Sequence, residues 1–332
     1  MPKVSVIMPA YNAEKYIAQA IESILGQSYR DMEFIILNDC SMDRTEEIIL
    51  SYQDSRIVYL KNERNMGVAA TLNKGMAAAK GCYIARMDAD DISLPQRLEK
   101  QVAFLDAHPA AAVVGTDLER FGEGIPSQIR RFSGDPAQMK VDLLFACGLA
   151  HPSVMMRREA VEALGGYDME FEGLEDYELW CRMAAQGDVS VVPQVLFRYR
   201  VHPGQVTKNP SAKYLAKMER LKRRQLQQLG LEATEAEVDC FLNFCLGRRP
   251  RDPEGCLALS RLFERMLEAN RSCGYYDEKR LSGVFRSILL GSALKLTGSQ
   301  GRQLCRQSQL ISPAELAKQR LKARVKRLLG RR

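Results

Sequence analysis

The first 115 residues alternate short apolar runs with segments of helical periodicity, and this alternation constrains the fold more than any other feature. Strand-like runs are predicted at 4–8, 33–37, 57–60, 82–87 and 112–115. Helices are predicted between them, at 13–27, 45–52, 68–80 and 95–107. Repeated strand–helix units of this length predict an α/β fold with a mainly parallel sheet flanked by helices.

In sheets of this kind, ligands bind beyond the carboxyl ends of the strands, so the polar residues after each strand are candidates for a site. They are Pro9, Ala10, Tyr11 and Asn12, then Asn38 and Asp39, then residues 62–65, and finally residues 88–91. No GxGxxG follows the first strand, and no GxxxxGK[ST] occurs in the chain. Dinucleotide oxidoreductases and P-loop phosphotransferases are therefore not supported.

Asp88 and Asp90 stand two residues apart at the end of a predicted strand, so their side chains point the same way. Two carboxylates held side by side repel each other unless a cation lies between them. Magnesium or manganese commonly bridges such carboxylates to a diphosphate, which would suit a nucleotide leaving group. The competing interpretation is a solvated loop that caps the helix beginning near Pro95.

A second candidate, Asp176, begins a predicted helix on the same stripe as Trp180 and Met183. A carboxylate held there could act as a general base toward a hydroxyl group. It could equally complement the helix dipole without a catalytic role. Glu175 competes for the role of base.

The third candidate is the basic segment 197–203, which contains Arg198, Arg200 and His202. The two arginines could face a diphosphate or could be solvated strand residues. A single histidine in such a segment is more often structural than a metal ligand.

The net charge of +7 conceals two halves of opposite sign. Residues 208–332 contain 27 Lys and Arg against 12 Asp and Glu, which leaves residues 1–207 acidic. The nine cysteines form no CxxC pair, so we expect reduced thiols in a cytoplasmic chain rather than disulfides or structural zinc. Met1 leads directly into a strand, so no signal peptide is expected, and no apolar run is long enough to span a bilayer.

Helical periodicity continues in the basic half, at 213–229, 238–246, 256–267 and 281–296. Residues 313–332 form a basic amphipathic helix with Leu321, Val325, Leu328 and Leu329 along one stripe. This tail could lie on an anionic membrane surface at the inner face of the cell membrane, pack on the rest of the protein, or remain a charged tail. Nucleic acid is not an expected partner, because no aromatic residues are interleaved with the basic ones. The predicted domains are 1–207, 208–312 and 313–332.

Several segments in the first part of the chain together resemble glycosyltransferase family 2. They are residues 4–12, 27–29, 38–43, 65–68, 73–75, 85–91, 151–154, 165–167, 175–176 and 199–202. The resemblance covers roughly residues 3–207 and implies the GT-A fold and an inverting single displacement. One sugar would pass from a nucleotide-diphosphate sugar, with UDP-sugars favoured, to a hydroxyl of a glycan or lipid-linked glycan. The implied cofactor is Mn²⁺ or Mg²⁺.

The resemblance also implies roles for individual residues. The nucleotide part of the donor would be bound by Pro9, Ala10, Tyr11, Asn12, Asp39, Asn65, Asn73, Asp88 and Ala89. The metal would be bound by Asp90 and His202, and Asp176 would be the base. The donor or acceptor sugars would be contacted by Asp91, Glu175, Trp180 and His151. The chain departs from the family pattern at Asn38, where Asp is usual, and at Cys40, where Gly is usual. The Gln-x-x-Arg-Trp signature of processive synthases is absent, which favours addition of one sugar per encounter.

Two alternatives to a transferase remain open from the sequence. A sugar-phosphate nucleotidyltransferase would need a Gly-rich opening with Arg and Lys, which this N-terminus lacks. A catalytically silent sugar-nucleotide binding module would keep Asp39 and Asp90 but tolerate loss of Asp176. Release of nucleoside diphosphate in the presence of an acceptor separates both from a glycosyltransferase.

Overall fold

The structure is a computed structural model and describes residues 1–202 and 211–329, with side chains in the last helix described as far as Ala323. The chain divides into two compact units. The sheet unit comprises Met1–Leu143 and Cys147–Tyr214, and the helical unit comprises Leu144–Ala146 and Leu215–Arg332. The finer division at residues 207 and 312 remains a prediction.

Within its described residues, the sheet unit contains nine strands in one mixed sheet. They are β1 (Val4–Ala10), β2 (Met32–Asn38), β3 (Ile57–Lys61), β4 (Tyr83–Arg86), β5 (Ile92–Ser93), β6 (Ala111–Gly122), β7 (Ile125–Arg130), β8 (Met155–Arg157) and β9 (Asp188–Arg200). Their order is β3-β2-β1-β4-β8-β6-β9-β5, and β7 pairs with β6. The first four strands are parallel, as predicted. Beyond them, β8 is antiparallel to β4 and β6, and β5 to β9, so the sheet is mixed overall.

The register of the parallel strands gathers their carboxyl ends at one edge of the sheet. Ala10 at the end of β1 lies opposite Asn38 at the end of β2, and Ile7 lies opposite Arg86 at the end of β4. Strand β9 runs parallel to β6 and ends two residues before His202. The polar residues that follow β1, β2 and β4 therefore share one edge.

In the part of this unit that the structure describes, seven α-helices accompany the sheet: α1 (Ile17–Leu25), α2 (Thr45–Leu50), α3 (Val68–Ala78), α4 (Arg97–Ala107), α5 (Pro136–Asp142), α6 (Arg158–Ala163) and α7 (Glu175–Gln186). The predicted stripe of α1 is buried at Ile17, Ile21 and Ile24, against strand residues such as Phe34. Helix α3 approaches the sheet so closely that a Cβ on Gly75 would lie 2.6 Å from Ile7 Cγ2. Burial of these apolar side chains is the main stabilising term of this unit.

The chain after residue 211 is helical: α8 (Ala212–Gln228), α9 (Glu235–Cys245), α10 (Pro253–Cys273), α11 (Glu278–Ala293), α12 (Gly298–Gln307) and α13 (Pro313–Leu329). The helical unit has an aromatic core, in which the rings of Phe263 and Phe285 stack with centroids 4.0 Å apart. Helix α12 was not predicted, because few of its residues are apolar. Its start is marked by a capping box between Thr297 and Gln300.

The first part of α13 packs on α11 and α12 within the helical unit. Leu316 is buried, and the Arg320 guanidinium donates to the backbone carbonyls of Leu296 and Thr297 at 3.4 and 3.3 Å. Leu321 is exposed. The other stripe residues of the predicted tail lie beyond the described side chains. Across the described ranges, no helix combines the length and apolarity that crossing a bilayer requires.

Candidate functional site

The Asn12 side chain joins the loop after β1 to the loop after β2, and the Asn38 side chain closes the turn after β2. Asn12 Oδ1 accepts from Met42 N at 2.9 Å, and Asn38 Oδ1 accepts from Ser41 N at 2.9 Å. Asn12 and Cys40 adopt positive φ angles, 47° and 63°. Asn tolerates this left-handed region, whereas Cys is strained there. The geometry gives a physical reason why glycine is usual at the position of Cys40.

Asp39 is buried, and its carboxylate is already largely occupied by the protein. Oδ1 accepts from Asn62 Nδ2 at 2.7 Å and from Met66 N at 2.8 Å, and Oδ2 accepts from Gly67 N at 3.0 Å. A carboxylate can accept about four hydrogen bonds, so about one remains for a ligand. The contact of Asp39 with a pyrimidine N–H stays a prediction.

The other nucleotide-pocket candidates lie in different environments. Tyr11 is half exposed beside this edge, and Asn65 Oδ1 accepts from Gly67 N at 3.2 Å. Asn73 instead uses both ends of its amide on the backbone of Tyr167: Nδ2 donates to the carbonyl oxygen and Oδ1 accepts from N–H, both at 2.9 Å. The structure thus gives Asn73 a role in holding the Tyr167 loop, and its nucleotide contact stays a prediction.

Three carboxylates converge after β4. Ligand oxygens of Asp88, Asp90 and Asp91 lie within 4.8 Å of one another. Asp91 is buried; its Oδ1 accepts from Arg200 N at 2.7 Å, whereas Oδ2 has no hydrogen-bond partner among the described residues. Burial, with the charges of Asp88 and Asp90, raises the pKa of Asp91 well above its usual range. The cluster therefore concentrates three acidic groups, of which Asp88 is paired with Arg86.

His202 joins the cluster from the end of β9. Its Nε2 lies 2.9 Å from Asp90 Oδ2, and its ring lies 5.3 Å from that of Tyr16. Arg200, two residues earlier, donates from Nε to the Asp90 carbonyl at 2.6 Å and lies over the Tyr16 ring. The structure places Asp90 and His202 side by side, and their role as metal ligands stays a prediction.

The residues of this cluster fit a hard divalent cation. The donors are carboxylate oxygens with one imidazole nitrogen, a set that suits Mg²⁺ or Mn²⁺. The evidence for a cation here is the buried Oδ2 of Asp91, which has no hydrogen-bond partner among the described residues. A buried polar atom of this kind costs free energy unless a cation or a donor approaches it.

A second acidic group lies at the start of α7. Asp176 Oδ1 accepts from Tyr177 N at 2.7 Å, and its Oδ2 lies 3.5 Å from the thiol of Cys147. Burial raises the pKa of Asp176, although the Tyr177 N–H and the Arg86 charge oppose this. Glu175 is more deeply buried and accepts from Gly173 N; burial, with the charge of Asp176, raises its pKa to about 7.

A buried histidine and arginine complete the surroundings of Glu175 and Asp176. His151 Nε2 lies 2.8 Å from the Tyr167 hydroxyl, and its Nδ1 lies 3.9 Å from Glu175 Oε1. Burial and the nearby Arg86 charge lower the pKa of His151 well below its usual range, so the ring is neutral. Arg86 pairs with Asp88, and its charge also acts on Glu175. The positive charge of Arg86 therefore interacts with both acidic groups.

Trp180 corrects one expectation. The side chain is fully buried in the core beneath α7, so it packs rather than contacts a sugar. The stripe that relates Trp180 to Asp176 is real, but at Trp180 and Met183 it faces the protein interior. Sequence reasoning also missed Cys147 and the role of Arg86. A charged residue inside an otherwise apolar strand was the available clue to Arg86.

The chain matches known proteins over its sheet unit. A model of the family described as Glycosyl transferase family 2 matches residues 5–165. The chain is 42% identical over 193 residues to the protein named glycosyltransferase EpsE of Bacillus subtilis (strain 168). The aligned region covers 56% of this chain and 68% of that protein. It is 30% identical over 208 residues to UDP-Glc:alpha-D-GlcNAc-diphosphoundecaprenol beta-1,3-glucosyltransferase WfgD of Escherichia coli, which covers 62% of this chain and 80% of that protein.

Among solved structures, S. aureus TarS 1–349 in complex with UDP-GlcNAc aligns with a TM-score of 0.61 at 18% identity, covering 90% of this chain and 92% of that one. At this identity the likeness shows the fold alone. The GT-A-type fold with a helical C-terminal region is thus confirmed.

Proposed function

This chain belongs to glycosyltransferase family 2, and on that premise we propose that it moves one sugar from a UDP-sugar to a hydroxyl of a lipid-linked glycan, with inversion at the anomeric carbon. It is a glycosyltransferase by its family. The donor and acceptor classes are supported by WfgD, whose name specifies UDP-Glc and a diphosphoundecaprenol-linked sugar, and by the UDP-GlcNAc complex of TarS.

The proposal rests on one observation: the same arginine, Arg86, interacts with both acidic groups. One group is the cluster suited to a metal-bound diphosphate, and the other contains Asp176, whose pKa is raised. Arg86 pairs with Asp88, and its charge lowers the pKa of Asp176 against the effect of burial. A transferase needs a site for the departing diphosphate and a base for the attacking hydroxyl. The two acidic groups supply one each.

In this mechanism the nucleotide lies against the loops after β1 and β2, with Asp39 oriented by its three internal donors. Asp88, Asp90, Asp91 and His202 would hold Mn²⁺ or Mg²⁺, which when bound offsets negative charge on a diphosphate. Asp176 accepts the proton of the acceptor hydroxyl as that oxygen attacks the anomeric carbon. The bond from that carbon to the diphosphate breaks on the opposite face, which inverts the configuration.

Asp176 is better suited than Glu175 to be the base. It is half-buried, whereas Glu175 is buried, receives the Gly173 N–H and lies beside His151. A base must reach the acceptor hydroxyl, so partial exposure favours Asp176. Glu175 and His151 are proposed to bind sugar hydroxyls around it, whereas Asp91, buried in the acidic cluster, is proposed as a metal ligand only.

The experiment begins with a thermal-shift screen of nucleotide sugars with and without Mn²⁺, because a ligand that binds only the native state raises its melting temperature. The donor found is then assayed for nucleoside diphosphate release with acceptor lipids. Asp176→Asn should lose transfer and keep the donor-induced shift. Asp188→Asn, an exposed aspartate at the start of β9, is the matched control and should retain both.

Two outcomes would overturn the proposal. A wild-type protein that binds the donor but releases no diphosphate with any acceptor would be a silent binding module. An Asp176→Asn variant with normal turnover would remove the proposed base.

A lipid-linked acceptor would be reached at the inner face of the cell membrane, and we propose that the end of α13 contributes to this through its basic residues. Leu316 and Arg320 hold α13 against the other helices of its unit, so deletion of α13 would also disturb folding. Replacing Arg324, Lys326 and Arg327 by Gln spares those contacts. The variant should bind vesicles containing anionic lipid more weakly than the wild type, and unchanged binding would remove the idea.

A further inference from the structure

We propose that Cys147 is a positioning residue for the base: its thiol donates a hydrogen bond to Oδ2 of Asp176 and fixes the direction in which that oxygen faces the acceptor. The inference rests on the proposed role of Asp176 and deepens it. The two sulfur contacts are 3.5 Å to Asp176 Oδ2 and 3.4 Å to the Leu149 carbonyl, both within reach of one S–H.

The two oxygens of Asp176 are held by donors of different strength. Oδ1 accepts from the backbone N–H of Tyr177 at 2.7 Å, a normal amide hydrogen bond. Oδ2 has the thiol, which is a weak donor. A weak donor orients the oxygen while leaving it free to accept the proton of an incoming hydroxyl. A strong donor would compete with that proton for the same lone pair.

The thiol is in the form that this role needs. Cys147 is a free cysteine, and burial together with the negative charge of Asp176 raises its pKa well above its usual range. It is therefore protonated at neutral pH and acts as a donor. A thiolate beside the carboxylate would instead repel it.

The residues immediately before Cys147 are anchored within the helical unit. Phe145 packs edge-on against Phe241 and Phe244 with ring centroids 6.0 and 5.8 Å apart. The carbonyl of Leu144 accepts from the buried ammonium group of Lys222 at 2.7 Å. Since Leu144–Ala146 belong to the helical unit, Cys147 is the first residue of the chain's return to the sheet unit.

Three substitutions separate the hydrogen bond from simple packing. Cys147→Val keeps apolar volume without a donor, Cys147→Ala removes both, and Cys147→Ser keeps a donor in less volume. Cys256→Val is the matched control, since its buried thiol donates to a carbonyl in the helical unit, 3.8 Å from Pro250 O. Melting curves and circular dichroism establish that each variant is folded.

We expect Val and Ala at position 147 to lower kcat about three- to tenfold, the range for loss of one modest hydrogen bond, with donor KM unchanged. Ser should restore most of the lost kcat, and Cys256→Val should behave as the wild type. A merely structural role would give Ser and Val similar defects. Wild-type kcat in Cys147→Val, or a Ser variant as slow as Val, overturns the proposal.

Crystal structures of the wild type and Cys147→Val provide a readout that does not depend on transfer. We expect the Asp176 carboxylate to change rotamer in the variant. An unchanged carboxylate defeats the inference even if the enzyme is active. Conversely, an inactive wild type with a rotated carboxylate in the variant would remove the proposed function while preserving the positioning contact.

Discussion

Asp91→Asn should stabilise the metal-free protein. Asp91 Oδ1 accepts from Arg200 N, and an Asn oxygen can keep that bond. The unpartnered Oδ2 would become an NH₂ group close to the carboxylates of Asp88 and Asp90, to which it can donate. The substitution therefore replaces a repulsive contact with an attractive one and removes a buried charge.

The magnitude follows from the cost of the orphaned oxygen. Folding at neutral pH must either bury the charge of Asp91 or bind a proton, and an unsatisfied buried polar group costs about 1–3 kcal/mol. For a unit of this size, 1 kcal/mol corresponds to about 2–4 °C, so we expect the melting temperature to rise by about 2–12 °C.

Calorimetry in EDTA measures the effect, with Asp188→Asn as the control. Because the pKa of Asp91 is raised in the folded state, its contribution to wild-type stability is present at low pH and is lost as pH rises above the ordinary aspartate value. The advantage of Asp91→Asn should therefore grow from pH 4 to pH 7. Added Mn²⁺ should stabilise the wild type more than the variant. A variant that melts below the wild type in EDTA at pH 7 would refute the reasoning.

Three further predictions address single contacts. Cys40→Gly relieves a residue at φ 63° and should raise the free energy of unfolding in urea by about 0.5 kcal/mol; a loss above about 1 kcal/mol would contradict this. Asn73→Ala should cost about 1–3 kcal/mol by freeing the Tyr167 backbone, with donor Kd unchanged; tenfold weaker donor binding at equal stability would instead make Asn73 a ligand. Wild-type stability should fall by up to about 3 kcal/mol between pH 4.5 and about 7 because the folded-state pKa of Glu175 is about 7, and Glu175→Gln should remove that fall. A pH profile that the substitution leaves unchanged would contradict that value.

Local periodicity predicted the first four strands and the helices between them, and through them the edge that carries Asp39 and Asp90. These elements are predictable because each contains its own apolar pattern. The antiparallel entry of β8 between β4 and β6 is not predictable in this way, since only three residues form that strand. Its direction is determined by tertiary packing.

The candidate site was predictable where chemistry-bearing residues follow a strand, and less so where they meet across the fold. Trp180 shares a stripe with Asp176, but periodicity cannot say whether that stripe faces a cleft or the core. Cys147 and Asp176 are 29 positions apart, and their contact depends on how the loop after α5 returns to the sheet unit. Arg86 is buried at the end of β4, and its effect on Glu175 and Asp176 depends on the fold that brings α7 near it.

Nuclear magnetic resonance of the disaccharide product tests the central claim most directly, namely that Asp176 deprotonates an acceptor hydroxyl that displaces the diphosphate in one step. The anomeric proton coupling of the transferred sugar should report the configuration opposite to that of the donor. Retained configuration would contradict direct displacement and, with it, the role assigned to Asp176.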